Sequence, residues 1–469
     1  MPLLLSFIGI LCLILLIVWC KLDTFISFIV VSVALGLACG LDIHRISDAI
    51  QKGIGSIMGS LVIILGFGAM LGRLIAESGA AQQITQSLVR LSGIRYIQWA
   101  MALSGFLVGL PMFFSAGFMV LMPLVFAVGA STRLPLLYLG IPVLAALSVA
   151  HGFLPPHPAA TAIARQLHAD IGKTLLYGLI VAVPTIILSG ILFGKTMRKY
   201  KSVPNPSLLT IKLMEPDQLP GLGLSLTAAL MPLILLTSTT LVNLIPGFSA
   251  SPGAPGSTPP PVIAVIKKIM AFIGDPDMAM LISVLAGIYL LGLRRGRRMS
   301  ALMKSLEDAF KGVAPVMLII AGAGVFMQVM SEGGVNVYIA KSLVHTTISP
   351  LILGWGVAAL IRICTGSSTV AGLTTVGILL PLVQQAAVPL AYHTAVSLAP
   401  HAAVPPELMV LAIGAGSMTF SHVNDGGFWL FKEYFNLTIR QTFATWTMME
   451  TMVSVAGLLM VLLLNQIVH

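Results

Sequence analysis

Ten stretches of the chain, at residues 3–20, 23–41, 56–76, 134–163, 172–194, 222–245, 277–293, 312–331, 405–431 and 442–466, are apolar over about the 20 residues that a helix needs to cross a bilayer. Hydrocarbon offers backbone N–H and C=O groups no water, so runs of this length are satisfied there only by winding into helices. Two more apolar pieces, 95–129 and 350–387, are too long for one span. They are broken near the middle by Gly109-Leu110-Pro111 and by Thr365-Gly366-Ser367-Ser368-Thr369. Such a break fits two short spans or a re-entrant hairpin with its tip at membrane depth, and we expect hairpins. Of the 469 residues 57% are hydrophobic and 9% charged, against about 25% charged in soluble domains. The fold class expected is an all-α polytopic membrane protein.

The formal net charge of +10 would suggest nucleic acid in a soluble chain. Here the cations gather in two loops, 195–212 and 294–304, as the positive-inside rule produces, and no aromatic-basic surface accompanies them. Both loops are placed in the cytoplasm. Two spans separate them, around a Pro, Gly and Ser-rich segment at 246–261 that then lies outside. Counting outward puts Met1 and His469 outside and Arg90, Arg95, Arg133, Lys432 and Arg440 inside. Full spans in place of hairpins would leave this parity unchanged. Cys12, Cys20, Cys39 and Cys364 sit in apolar runs without paired spacing, so neither a disulfide nor a metal site is expected. Met1 leads into an apolar segment without a basic stretch, which reads as a first span and not a cleaved signal.

The chain also resembles itself. Ser47-Asp48-Ala49-Ile50-Gln51-Lys52-Gly53 matches Glu307-Asp308-Ala309-Phe310-Lys311-Gly312, Glu77-Ser78-Gly79 matches Glu332-Gly333-Gly334, and Met122-Pro123-Leu124-Val125 matches Leu380-Pro381-Leu382-Val383. Five full spans per copy is an odd number, so the copies must face opposite ways. The expectation is two inverted repeats, 1–200 and 222–469, joined by a cytoplasmic linker at 201–221. Each repeat has about five spans, one hairpin and a helix broken at the midplane, the pattern of secondary transporters.

Two stretches interrupt apolar runs with groups that hydrocarbon does not tolerate. One is His151-Gly152-Phe153-Leu154-Pro155-Pro156-His157-Pro158, where three prolines in four residues must end a helix. The other is Phe420-Ser421-His422-Val423-Asn424-Asp425-Gly426-Gly427. A carboxylate such as Asp425 costs about 2.5–3.5 kcal/mol at the centre of a membrane helix on insertion scales, which implies a polar cavity that repays it. Asp425, His422 and His157 are the candidates to carry a coupling proton, while His151 reads equally as helix packing. At the tips, Gly366, Ser367, Ser368 and Thr369 offer hydroxyls and close-approach N–H groups suited to an anionic, polyhydroxy solute, and Ser115 offers one hydroxyl. Arg362 can grip a carboxylate bidentately or bond helix-end carbonyls. Glu450 has no evident partner and reads as interfacial.

Gly152-Phe153-Leu154-Pro155-Pro156-His157-Pro158, the run from Ala169 to Gly178, and Ser421-His422-Val423-Asn424-Asp425 through Leu437 resemble the signatures of the gluconate permease family. Gly66 to Gly72 and Gly366 to Ala371 fit as well. The resemblance implies a bacterial inner-membrane proton symporter for gluconate or a related sugar acid, with a D-serine-carrying branch. It also implies an inverted-repeat, elevator-type architecture in which homodimers move a transport domain against a scaffold. His157, Asn424, Asp425 and the Ser368-Thr369 tip then fall where substrate or the coupling ion is expected. Two positions depart from the pattern: Ser115 stands where the family usually carries an acid, and Ala159-Ala160 where it tends to have Gly-Pro. The reading is a transporter with no cofactor beyond a coupling ion, H+, and no catalytic group. The rivals weighed against it are a cation-coupled carrier of another small carboxylate, a membrane-embedded metallohydrolase, for which no His-Glu-x-x-His helix is present, and a channel.

Overall fold

The computed structural model describes residues 2–200, 202, 213–243, 261–334, 348–386, 404–423 and 425–468. Asn424, most of the expected linker and the expected outer segment 246–260 lie outside the described residues. Those described are helical, with no strand among them. The first half runs α1 (Pro2–Val18), α2 (Thr24–Ala38), α3 (Ile43–Glu77), α4 (Ala80–Ser92), α5 (Ile97–Gly109), α6 (Phe114–Thr132), α7 (Leu136–Phe153), α8 (Pro158–Gln166) and α9 (Ile171–Ile186). The second half runs α10 (Leu222–Asn243), α11 (Pro261–Ile273), α12 (Pro276–Gly287), α13 (Met299–Glu332), α14 (Pro350–Thr365), α15 (Ser368–Ala386), α16 (Pro406–Gly416), α17 (Gly426–Tyr434) and α18 (Met448–Val468).

Aspartates start many of these helices. Asp23, Asp42, Asp170, Asp275 and Asp425 each accept a backbone N–H from the first turn of the helix that follows, which satisfies donors the helix itself cannot. A π-helical turn widens the chain after α9, at Ile187–Leu192, and another precedes α18, at Phe443–Thr447.

The ten apolar runs do not become ten uninterrupted spans. Among the described residues six helices are long and apolar enough to cross a membrane alone, and a seventh counts if Ile43–Ser56 and Leu61–Glu77, bent by 43°, form one. Run 405–431 is divided into α16 and α17, and run 23–41 supplies only the 15 residues of α2. The arms around the two breaks are unequal, 13 and 19 residues for α5 and α6, 16 and 19 for α14 and α15. Helices α4 and α11 fill stretches that hydropathy leaves between spans.

The long helices α3 and α13 lie against each other antiparallel. Lys52, near the start of α3, approaches Glu332 at the end of α13 (3.7 Å), and Arg297, just before α13, meets Glu77 at the end of α3 (2.9 Å). Their backbones touch, since a Cβ on Gly53 would stand 2.6 Å from the Gly324 carbonyl oxygen, and small residues are what allow such contact in membranes. Within Leu136–Gln166 an 18-residue apolar window is 89% buried in the protein, and Leu154, His157, Ala159 and Ala160 around the proline break are buried too. The break is therefore enclosed by protein and not by lipid, the condition under which irregular backbone survives at membrane depth.

Candidate functional site

The two chain breaks and the two histidine-containing interruptions converge. In the first half, α5 ends at Gly109, and α6 resumes at Phe114. In the second, only Gly366 and Ser367 separate α14 from α15. Gly366 has φ +72°, which closes the helix by donating its N–H to the Arg362 carbonyl (2.9 Å) and is strained for any residue with a Cβ. The broken helices cross closely behind: a Cβ on Gly414 of α16 would lie 2.4 Å from the Gly152 oxygen of α7.

Between these parts lies a cavity of about 1010 Å3, lined by residues 112–116 of the first tip and 365–369 of the second, with Arg362, His151, Asp425, Trp446 and Glu450. Ser115, Gly366, Ser367, Ser368, Thr369, Arg362 and Asp425, singled out from sequence, thus share one space. His157 and His422 do not line it. His157 is buried behind the first tip, bonded through Nε2 to the Gly109 carbonyl (2.9 Å), with its ring edge-on to His151 at 5.3 Å. His422 is half-buried, bonded to the Ile363 carbonyl (2.9 Å).

Arg362 and Asp425 form an ion pair in the cavity wall, Nη2 to Oδ2 at 2.6 Å, their side chains 4% and 17% exposed. Arg362 Nη1 also donates to the Gly366 carbonyl, so the helix-end use of the guanidinium is seen, while its carboxylate contact is a single bond to Asp425 and not a bidentate grip. Ser421 donates its hydroxyl to Asp425 Oδ2, Trp446 donates to Ser421 Oγ (2.7 Å), and the Gly427 N–H reaches Asp425 Oδ1 (3.0 Å). The carboxylate is thereby held by a cation, a hydroxyl and a helix N-terminus.

Glu450 departs from expectation. It has a partner after all: 1% exposed and on the cavity wall, it accepts a hydrogen bond from Ser148 of α7 at 2.5 Å. The signal for it, a charged residue inside an apolar run, is the one that marks Asp425.

The cavity extends outward to Arg73 and Asp308, whose side chains are 51% and 52% exposed. Leu213 and Met214 lie on its rim, where Gln82 clasps the Met214 backbone twice, Nε2 to O at 2.8 Å and N to Oε1 at 2.9 Å.

A family model described as GntP family permease matches residues 1–467. The high-affinity gluconate transporter and the Gnt-II system L-idonate transporter of Escherichia coli (strain K12) are each 42% identical to the chain, with all of both chains covered. The gluconate permease of Bacillus subtilis (strain 168) is 43% identical, again over both full lengths. Among solved structures the fold is similar to the YdaH transporter of Alcanivorax borkumensis, with TM-score 0.62 and 16% identity over 94% of this chain and 97% of that one. It is also similar to MtrF of Neisseria gonorrhoeae, with TM-score 0.61 and 13% identity over 93% of each chain. Matched end to end by the family and by relatives of its own length, this multi-pass membrane protein belongs to the GntP family of permeases.

Proposed function

We propose that the chain imports gluconate, or a closely related sugar acid, across the bacterial inner membrane together with a proton. The observation that carries this reading is Arg362, a buried guanidinium on the wall of a cavity rimmed by hydroxyl-bearing tips, in a chain whose full-length relatives are named for gluconate and L-idonate. The volume is at the upper end of the roughly 300–1,000 Å3 usual for small-molecule sites. A sugar acid presents one carboxylate and several hydroxyls. The carboxylate competes with Asp425 for the planar fork of Arg362, and Ser115, Ser367, Ser368, Thr369 and the Gly366 backbone meet the hydroxyls. Asn424 adjoins this set in sequence.

Coupling follows from the exchange. An Asp425 that loses Arg362 to the substrate is an unpaired charge at membrane depth, and taking a proton removes that cost. Anion and proton then favour each other's binding, which is what symport requires. His157 supports the first tip through Gly109, and His422 supports the end of α14 through Ile363.

The architecture we infer is a pair of inverted repeats working as an elevator within a homodimer. It is supported by the antiparallel pairing of α3 and α13, the helices that carry the matched motifs. The rim residues Glu77, Gln82 and Asp308 belong to the side that the basic loops mark as cytoplasmic, so the cavity reads as inward-facing. The equal similarity to the L-idonate transporter favours a second substrate of the same class.

Uptake of labelled gluconate into proteoliposomes tests the reading. Accumulation against a gradient is expected with an inward proton gradient and is lost on adding a protonophore. Accumulation that ignores protonophore but needs sodium overturns the proton, and accumulation of another acid without gluconate overturns the substrate.

A further inference from the structure

Glu77 and Asp308 at the cavity rim are paired with cations, and Glu450 is the buried acid of the lining that this exchange leaves unused. It is 1% exposed, and its Oε2 has no hydrogen-bond partner among the described residues. Its Oε1 lies 2.5 Å from the Ser148 hydroxyl, a separation in the range of hydrogen bonds between a hydroxyl and a carboxyl group. The charges that act on it are Arg362 and Asp425, which are paired with each other and so leave little net compensation. His151, one turn beyond Ser148 on α7, lines the same cavity with its Nδ1 unpartnered. Elsewhere on the elements packed against α18, Glu407 of α16 and Lys173 of α9 face each other at 3.9 Å, and Arg198, which follows α9, covers the Tyr138 ring. Among the described residues no cation is therefore placed to hold Glu450 alone as a carboxylate, and an uncompensated carboxylate is costly to bury.

We propose that Glu450 is the proton-relay acid of the site, passing its proton to Asp425 when the substrate carboxylate takes Asp425's place on Arg362. The O–H bond of Glu450 breaks as one forms on the Asp425 carboxylate. Glu450 regains a proton from solvent in the cavity, which reaches the half-exposed Arg73 and Asp308. Ser148 positions the acid: its donated hydrogen bond steadies the transient carboxylate.

The inference rests on proton-coupled uptake, and the experiment separates the two. Wild-type uptake that is insensitive to protonophore defeats the coupling reading itself. With wild type sensitive, Glu450→Gln is expected to lower gradient-driven gluconate accumulation at least tenfold while gluconate counterflow exchange stays within about twofold. Accumulation at the wild-type level overturns the relay. Ser148→Ala, which keeps the acid and removes the hydroxyl bonded to it, is expected to shift the pH profile of uptake with little change in counterflow. An unshifted profile overturns the positioning role and, if Glu450→Gln fails to insert, the relay with it. Glu450→Asp is expected to restore part of the accumulation; a purely packing role predicts no such rescue.

Discussion

Asp425 meets two demands at once. It starts α17 by accepting the Gly427 N–H, and it neutralises Arg362 at a depth where neither charge would survive alone. Removing one member of a buried pair costs about 3–5 kcal/mol when the other is left charged. Asp425→Asn keeps the shape and the cap but not the charge, so a smaller loss of thermal stability is expected, up to about 3 kcal/mol. Gradient-driven uptake should fall at least tenfold while counterflow persists in part. Unchanged active uptake in proteoliposomes would remove Asp425 from the coupling cycle. Arg362, Asp425 and the Gly366 to Thr369 tip were legible in the sequence because a charge or a polar cluster inside an apolar run has few tolerable explanations. Glu450 carries the same mark and was read as interfacial, since a linear run gives no depth and its bonding partner, Ser148, is 302 positions away. That His157 and His422 lie off the cavity lining was not legible either: a histidine next to a break can bond a tip carbonyl or face the space beyond it, and both patterns look alike in one dimension.

At the level of elements, the breaks at 110–113, 154–157, 366–367 and 417–425 fall where Gly, Pro and polar clusters had marked them. Their close crossing makes a definite demand. Gly414→Leu must drive a side chain into the Gly152 carbonyl, 2.4 Å from where its Cβ would stand, and overpacking of this kind costs about 1–3 kcal/mol. The expected result is a lower unfolding temperature in detergent and reduced transport; an unchanged melting profile would mean that α7 and α16 can part without penalty. Helices α4 and α11 were missed because they are amphipathic and fall between hydropathy peaks. The division of run 405–431 was visible as a polar interruption but not its extent, nine residues from Ser417 to Asp425. Hydropathy registers composition, whereas helix ends depend on where N–H groups find caps.

For the molecule as a whole, the charge distribution had put the end of α3 and the start of α13 on one side of the membrane, and Glu77 and Arg297 are in contact. If the tips travel against α3, a covalent tie across that boundary must stop transport. A Cβ on Gly72 of α3 would lie 2.9 Å from the Pro111 carbonyl oxygen and 3.3 Å from the Met112 Cα of the first tip, so α3 and the tip touch there and cysteines at 72 and 112 are close enough to be cross-linked after a small local shift. Gly72→Cys with Met112→Cys, in a chain whose four native cysteines are replaced, is expected to lose uptake on oxidation and to recover it on reduction. Full uptake by the oxidised, cross-linked protein would show that the tip and α3 move as one body. The double clasp of Gln82 on Met214 ties the end of the connector between the two halves to the lip of the cavity. If solute leaves by that side, as proposed above, it has to slip past a segment that belongs to neither tip, and the joint that splices the halves together is then also the doorstep it crosses.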